Sequence, residues 1–147
     1  MLSAIAAMMS GCALLTRHQP GNLKATIVAG SMINPDADGR PSPVVIQLFE
    51  LASGTEFIEA SFSDLYENTD KTLGKALLAR HSVILQPGNS KVIAVTMAPR
   101  TSAIGVVAGV AQFANVTWRA LALIKQRRDV AIRIDIGSAG LSIHRSN

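Results

Sequence analysis

The sequence predicts a mostly-β chain, a two-sheet β-sandwich with one small helical insertion. Three observations lead there. Seven or eight short apolar runs recur between turns carrying Pro or Gly, the layout of antiparallel sandwiches. Val130 to Ile136 alternates cleanly, with Val130, Ile132, Ile134 and Ile136 on one side and Ala131, Arg133 and Asp135 on the other, as a strand with one buried face must. From Phe57 the apolar residues switch to helical spacing.

Taken in order, Leu23–Ser31 is a first strand, with Ile27 and Val28 β-branched. Asn34 to Pro43 holds three prolines, one glycine and two aspartates in ten residues, which excludes a helix or a central strand and predicts a stiffened loop. Val44–Leu51 is a second strand and Ser53-Gly54 a turn. In Phe57–Asn68, residues Ile58, Phe62, Leu65 and Tyr66 share a helical face, and Ser61 is the expected N-cap with Asp64 three positions on. Asp70 is expected to cap a second helix over Lys71–His81, with Leu73, Leu77 and Leu78 on one side, so the insertion runs about 57–81. Val83–Leu85, the turn Pro87-Gly88-Asn89-Ser90 and Lys91–Ala98 make a strand, turn and strand. Ala103–Val110, Trp118–Ile124, Val130–Ile136 and Leu141–His144 complete the set, and Trp118 is expected in the core. Thr101 to Trp118 carries no charge over 18 residues, but Gly105, Gly109, Gln112, Asn115 and Thr117 fit strand, turn and strand better than a membrane-spanning helix.

The 147 residues suit one domain. Apolar residues are 48% and charged ones 16%, which excludes an intrinsically disordered, highly charged chain. A single cysteine excludes an intrachain disulfide framework. Aromatic residues at 4% leave few platforms for nucleic-acid bases. The net charge of +4 is scattered. Its densest cluster, Lys125, Arg127 and Arg128, runs directly into Asp129 and reads as a solvated turn.

Catalytic signatures are missing. His18, His81 and His144 lack metal-ligand spacing, and no nucleophile elbow or phosphate loop occurs. Asp36 and Asp38 are too few for a calcium site, which takes about 6–8 oxygens, and suit Asx turns instead. The reading is therefore non-enzymatic, with no metal and no cofactor.

Residues 1–11 are uncharged and mostly apolar, too short to span a bilayer but matching the apolar part of a secretory leader. They end Met9-Ser10-Gly11 before Cys12, a pattern similar to a bacterial lipobox. No Lys or Arg precedes the run, so a start upstream of Met1 is expected. Acyl chains on Cys12 would anchor it, since each buried CH₂ contributes about 0.8 kcal/mol and two chains hold where one does not. Residues 12–22 read as a polar tether and 23–147 as the sandwich. In enteric-type lipoproteins, which the pattern resembles, an Asp after the cysteine favours inner-membrane retention, so Ala13 implies the outer membrane.

Several pieces together resemble the TssJ (SciN) family of outer-membrane lipoproteins from type VI secretion systems. They are Cys12, the run Asn34-Pro35-Asp36-Ala37-Asp38-Gly39-Arg40-Pro41-Ser42-Pro43-Val44-Val45, then Phe57, Ala60-Ser61-Phe62 and Leu65. Leu73-Gly74-Lys75-Ala76-Leu77, Pro87-Gly88, Gly105-Val106-Val107-Ala108-Gly109 and Trp118-Arg119 follow in order. The resemblance departs at Ala108 to Phe113, where a charged residue would be expected soon after the strand. It implies a transthyretin-like sandwich, an outer-membrane lipid anchor at Cys12, and a role in the membrane complex that also contains TssL and TssM. It also implies that the periplasmic C-terminal region of TssM binds the loop formed by Ile33, Asn34, Pro35, Asp36, Ala37, Asp38, Gly39, Arg40 and Pro41.

The residues themselves agree with a binding loop. Pro35, Pro41 and Pro43 fix φ and reduce the entropy lost on docking. Arg40 presents a planar fork of donors, and Arg is enriched at interface hot spots. A plain stiff connection, with Arg40 paired to Asp36 or Asp38, is the structural alternative. At the level of function, a periplasmic carrier or chaperone for a hydrophobic ligand or an extended peptide is the competing class.

Overall fold

A computed structural model describes residues 21–125 and 128–146. Eight strands and three short helices follow one another in chain order: β1 (Asn22–Ala29), β2 (Val44–Leu51), α1 (Thr55–Glu59), α2 (Phe62–Glu67), α3 (Thr69–Leu73), β3 (Leu77–Leu85), β4 (Ser90–Thr96), β5 (Ala103–Gly109), β6 (Arg119–Leu123), β7 (Val130–Gly137) and β8 (Gly140–Arg145). They form two four-stranded sheets, β4-β1-β7-β8 and β3-β2-β5-β6. The second sheet is antiparallel throughout. In the first, β1 runs antiparallel to β4 but parallel to β7, with Ala25 opposite Ile132.

Alternation along each strand builds the core. Leu23, Ala25, Ile27 and Ala29 of β1 and Ile132, Ile134 and Ile136 of β7 turn inward. They meet Val44, Ile46 and Leu48 of β2 and Ile104, Val106 and Ala108 of β5 across the sandwich. A second cluster lies on the outer side of the β3-β2-β5-β6 sheet, where Phe57, Leu65 and Leu73 of the helices cover Phe49, Leu51, Ala103 and Val107. This covering explains why β2 and β5 are buried on both faces and read as nearly continuous apolar runs. Gly105 and Gly109 make the close fit possible, because a Cβ at either would lie within 3 Å of the Phe57 or Tyr66 ring.

The predicted two-sheet sandwich and its helical insertion are present, with three corrections. The helix expected over Lys71–His81 stops at Leu73. Gly74 takes φ +47, Gly74–Ala76 form one 3-10 turn, and Leu77–Leu85 pair with β2 as a strand. Leu73 and Leu77 do pack on the same outer cluster, so the leucine spacing reported shared burial and not one helix. In α1 the inward residue is Phe57, while Ile58 is 54% exposed. Trp118 is half-buried against the outer cluster rather than lodged between the sheets.

Ser61 caps α2 as predicted, its Oγ accepting the Asp64 N–H at 3.2 Å. The uncharged stretch after Thr101 is β5 followed by a loop, and no helix among the described residues is long and apolar enough to cross a membrane. β1 begins at Asn22, and Gly21 packs against the Arg128 carbonyl, so the fold reaches into the end of the expected tether. Lys125, Arg128 and Asp129 are exposed; Arg127, Cys12 and the leader-like segment lie outside the described residues.

Candidate partner-binding tip

One end of the sandwich is built by the β1–β2 connection, residues 30–43. Ile33 is fully buried in the main core. It therefore anchors the loop and offers no contact surface, which corrects its inclusion among the binding residues. Beyond it Asn34 adopts φ +44, a backbone conformation that asparagine tolerates better than most residues. Its side chain is committed at both ends: Nδ2 donates to the Pro43 carbonyl at 2.8 Å, and Oδ1 accepts the Ala111 N–H at 2.8 Å. Ser42 adds an Oγ–H bond to the Asn34 carbonyl and an N–H bond to the Ile33 carbonyl. The base of the loop is thus closed like a buckle.

The tip is organised around Asp36. Its Oδ1 accepts the backbone N–H of Asp38 and that of Arg40, both at 2.9 Å, so the expected Asx turn is present. The Arg40 guanidinium donates Nε to Asp36 at 3.0 Å and NH2 to Asp38 at 2.8 Å. Gly39 supplies the φ +74 that brings the chain round. The Arg40 backbone N–H is the main cause holding the Asp36 carboxyl below the usual carboxylate range, outweighing partial desolvation, with the guanidinium and the Asp38 N–H acting the same way. The loop pairs Arg40 with both aspartates, yet the Arg40 side chain stays 73% exposed. Pro35, Ala37, Asp38, Gly39 and Pro41 are exposed beside it. The result is a rigid, proline-braced knob in which two carboxylates flank one guanidinium.

Two further loops flank it. The β5–β6 loop is tied to the β1–β2 loop through Ala111 and to the β7–β8 turn through Thr117, whose N–H bonds the Ala139 carbonyl while its own carbonyl accepts from Leu141 N–H. Gly140, at φ +108, permits that approach; a Cβ there would sit 2.3 Å from the Thr117 oxygen. On its outer side the loop carries Phe113, 47% exposed and stacked on Phe62 of α2 with centroids 4.6 Å apart. Phe62 stacks in turn on Tyr66 and meets Trp118 edge-on. The three loops enclose a cleft of about 130 Å³, walled by Pro35, Val110, Ala114 and Val116, with Asn34, Gln112, Asn115 and Ser138 among its polar groups.

Sequence reasoning missed one polar centre. Glu50 on β2 is 1% exposed, yet its carboxylate accepts the Ala98 N–H at 2.6 Å and the Thr101 hydroxyl at 3.2 Å and pairs with His81 Nε2 at 2.9 Å. The one charged residue of β2, in a strand otherwise polar only at Gln47, was the available signal. Glu50 clamps the β4–β5 connection, and His81, expected at a helix end, sits on β3 opposite Leu48. Among the described residues no group of three or more His, Cys, Asp or Glu could hold a metal ion.

The fold is a transthyretin-like sandwich of two four-stranded sheets with a stiff, charged knob at one end. The chain belongs to the type VI secretion lipoprotein family (T6SS-SciN; VasD, EvfM, TssJ), whose profile matches residues 21–139. That family is a structural part of a secretion apparatus and not an enzyme. No curated protein sequence matches the chain. Among solved structures it is similar to the type VI secretion lipoprotein TssJ1 from Pseudomonas aeruginosa, at 27% identity and TM-score 0.82 over 87% of this chain and 98% of that one. It is also similar to a chain of a type VI membrane complex, at 25% identity and TM-score 0.77 over 86% and 99%. A chain in a structure described as the T6SS protein TssM C-terminal domain (869–1107) from EAEC shares the fold, at 22% identity and TM-score 0.66 over 84% and 97%.

Proposed function

We propose that this lipoprotein pins the type VI secretion membrane complex to the outer membrane. Acyl chains on Cys12 hold it at the periplasmic face, residues 12–20 act as the tether, and the β1–β2 loop binds the periplasmic C-terminal region of TssM. TssL is joined only indirectly, through the same complex. The observation that carries the reading is the Asp36–Arg40 knob. It is exposed, but its backbone is fixed by two N–H bonds to the Asp36 carboxylate and by the Asn34 clamp, and its guanidinium by a third bond to the same carboxylate. A surface that is ordered before docking loses little conformational entropy on binding. The similarity to a chain of a type VI membrane complex supports an assembly role.

The test pairs localisation with capture. The intact protein should fractionate with the outer membrane and retain the TssM fragment in a pull-down. Cys12→Ser should appear in the soluble periplasmic fraction, still bind that fragment, and abolish secretion. Normal secretion by Cys12→Ser, or an intact protein that does not retain the fragment, overturns the reading.

A further inference from the structure

We propose that the cleft between the three tip loops is a socket for one uncharged, apolar side chain of the partner, leucine- to phenylalanine-sized. The inference rests on the TssM reading and adds to it a second contact, made by residues outside the β1–β2 loop.

The argument begins with the walls. Pro35, Val110, Ala114 and Val116 present carbon, and no charged residue lines the cleft. This contrasts with Asp36, Asp38 and Arg40 a few residues away on the same tip. A desolvated charge entering such a space would find no counter-charge, whereas an apolar group would lose only water. The volume, about 130 Å³, is close to the ~150 Å³ that accommodates a benzene ring in an apolar protein cavity. It fits one side chain and is too small for a lipid or a peptide strand.

The cleft is also held open by its frame. The β5–β6 loop is fixed at Ala111 by Asn34, at Thr117 by Ala139 and Leu141, and on its outer side by the Phe113–Phe62 stack. Three anchors in seven residues leave the loop little freedom to collapse into the space, so the socket exists before the partner arrives. The position decides the occupant. Asn34 and Pro35 form one wall of the cleft and the root of the knob at once, so a partner seated on Arg40 is adjacent to the socket. Interfaces of this kind concentrate their energy where an apolar anchor fills a pocket surrounded by polar contacts, and Asn34, Gln112, Asn115 and Ser138 supply the polar groups.

Ala114 is an exposed lining residue on the loop, so it can be changed with little risk to the core. Titration calorimetry with the full chain in detergent and the periplasmic TssM fragment compares the parent protein with Ala114→Trp, which fills the cleft, and Ala114→Asp, which charges it. Both should bind about tenfold more weakly or worse, as blocked interface anchors do, while melting temperatures stay at the parent value. Parent-like affinity in both variants overturns the socket, and if Arg40→Ala is weakened in the same series the TssM reading survives that failure. Absence of binding by the parent protein overturns both. Val116→Asp, a separate wall position, should repeat the loss; parent-like binding by a folded Val116→Asp protein counts against the socket in the same way.

Discussion

The Asp36 carboxylate holds Arg40 twice, once through the Arg40 backbone N–H at 2.9 Å and once through its Nε at 3.0 Å. The backbone bond fixes where the loop turns, and the side-chain bond fixes where the guanidinium points. Arg40 is therefore held in place without being buried. The pairing leaves the third nitrogen and the planar face of the guanidinium unused, so it is compatible with the proposed binding role.

Arg40→Ala should separate binding from stability. An exposed ion pair contributes about 0–1 kcal/mol to folding, and the Asp36 turn keeps its backbone bonds in the variant. The expected outcome is a melting temperature within a few degrees of the parent and an affinity for the TssM fragment reduced about tenfold, equivalent to ~1.4 kcal/mol. Thermal unfolding and calorimetry on the same samples check it.

The Asp36 carboxyl gives the loop a sign-definite pH dependence. Its pKa in the folded protein is lowered, so the ionised form is the one favoured by folding. Its contribution to loop order is present above the unfolded-state pKa and is lost as pH falls through the folded one. Carboxyl NMR should show Asp36 titrating below the same residue in an isolated loop peptide, with the Asp38 and Arg40 amides shifting at the same midpoint. Asp36→Asn should abolish that step.

Glu50 predicts a larger effect on stability. Glu50→Leu strands the Ala98 N–H and removes a partner from Thr101 and His81 in a largely buried setting. Urea unfolding should report a loss of about 2–4 kcal/mol. Glu50→Gln keeps one carbonyl oxygen for the Ala98 N–H and should lose clearly less.

Gly105→Ala tests the fit between the insertion and the sheet. The added carbon would sit 2.7 Å from the Phe57 ring, and an overpacked core typically loses about 1–3 kcal/mol. The melting temperature should fall by several degrees, and Phe57→Leu, which frees space at that contact, should recover part of the loss in the double variant.

The strands were legible because their evidence is local. The alternation from Val130 to Ile136 and the β-branched run Val44–Leu51 each fix a strand whatever surrounds it. The proline-rich loop was legible for the same reason, since ring closure constrains φ residue by residue. The start of β3, Leu77–His81, was not, because its pairing partner β2 lies some thirty residues away and a leucine spacing alone suits helix and strand equally. Within that loop Ile33 was misplaced on the surface, because nothing local says that a residue at a strand exit turns back into the core.

By itself the sequence determined the sandwich, the stiff loop and the family features, all properties carried by neighbours along the chain. Tertiary structure alone decided that Asn34 reaches Ala111, that Glu50 meets His81 and Ala98, and that three loops enclose a cleft. Those contacts join residues 77, 31 and 48 positions apart. Whether such distant groups meet is set by strand register and sheet order, which fix the geometry only once both sheets have packed.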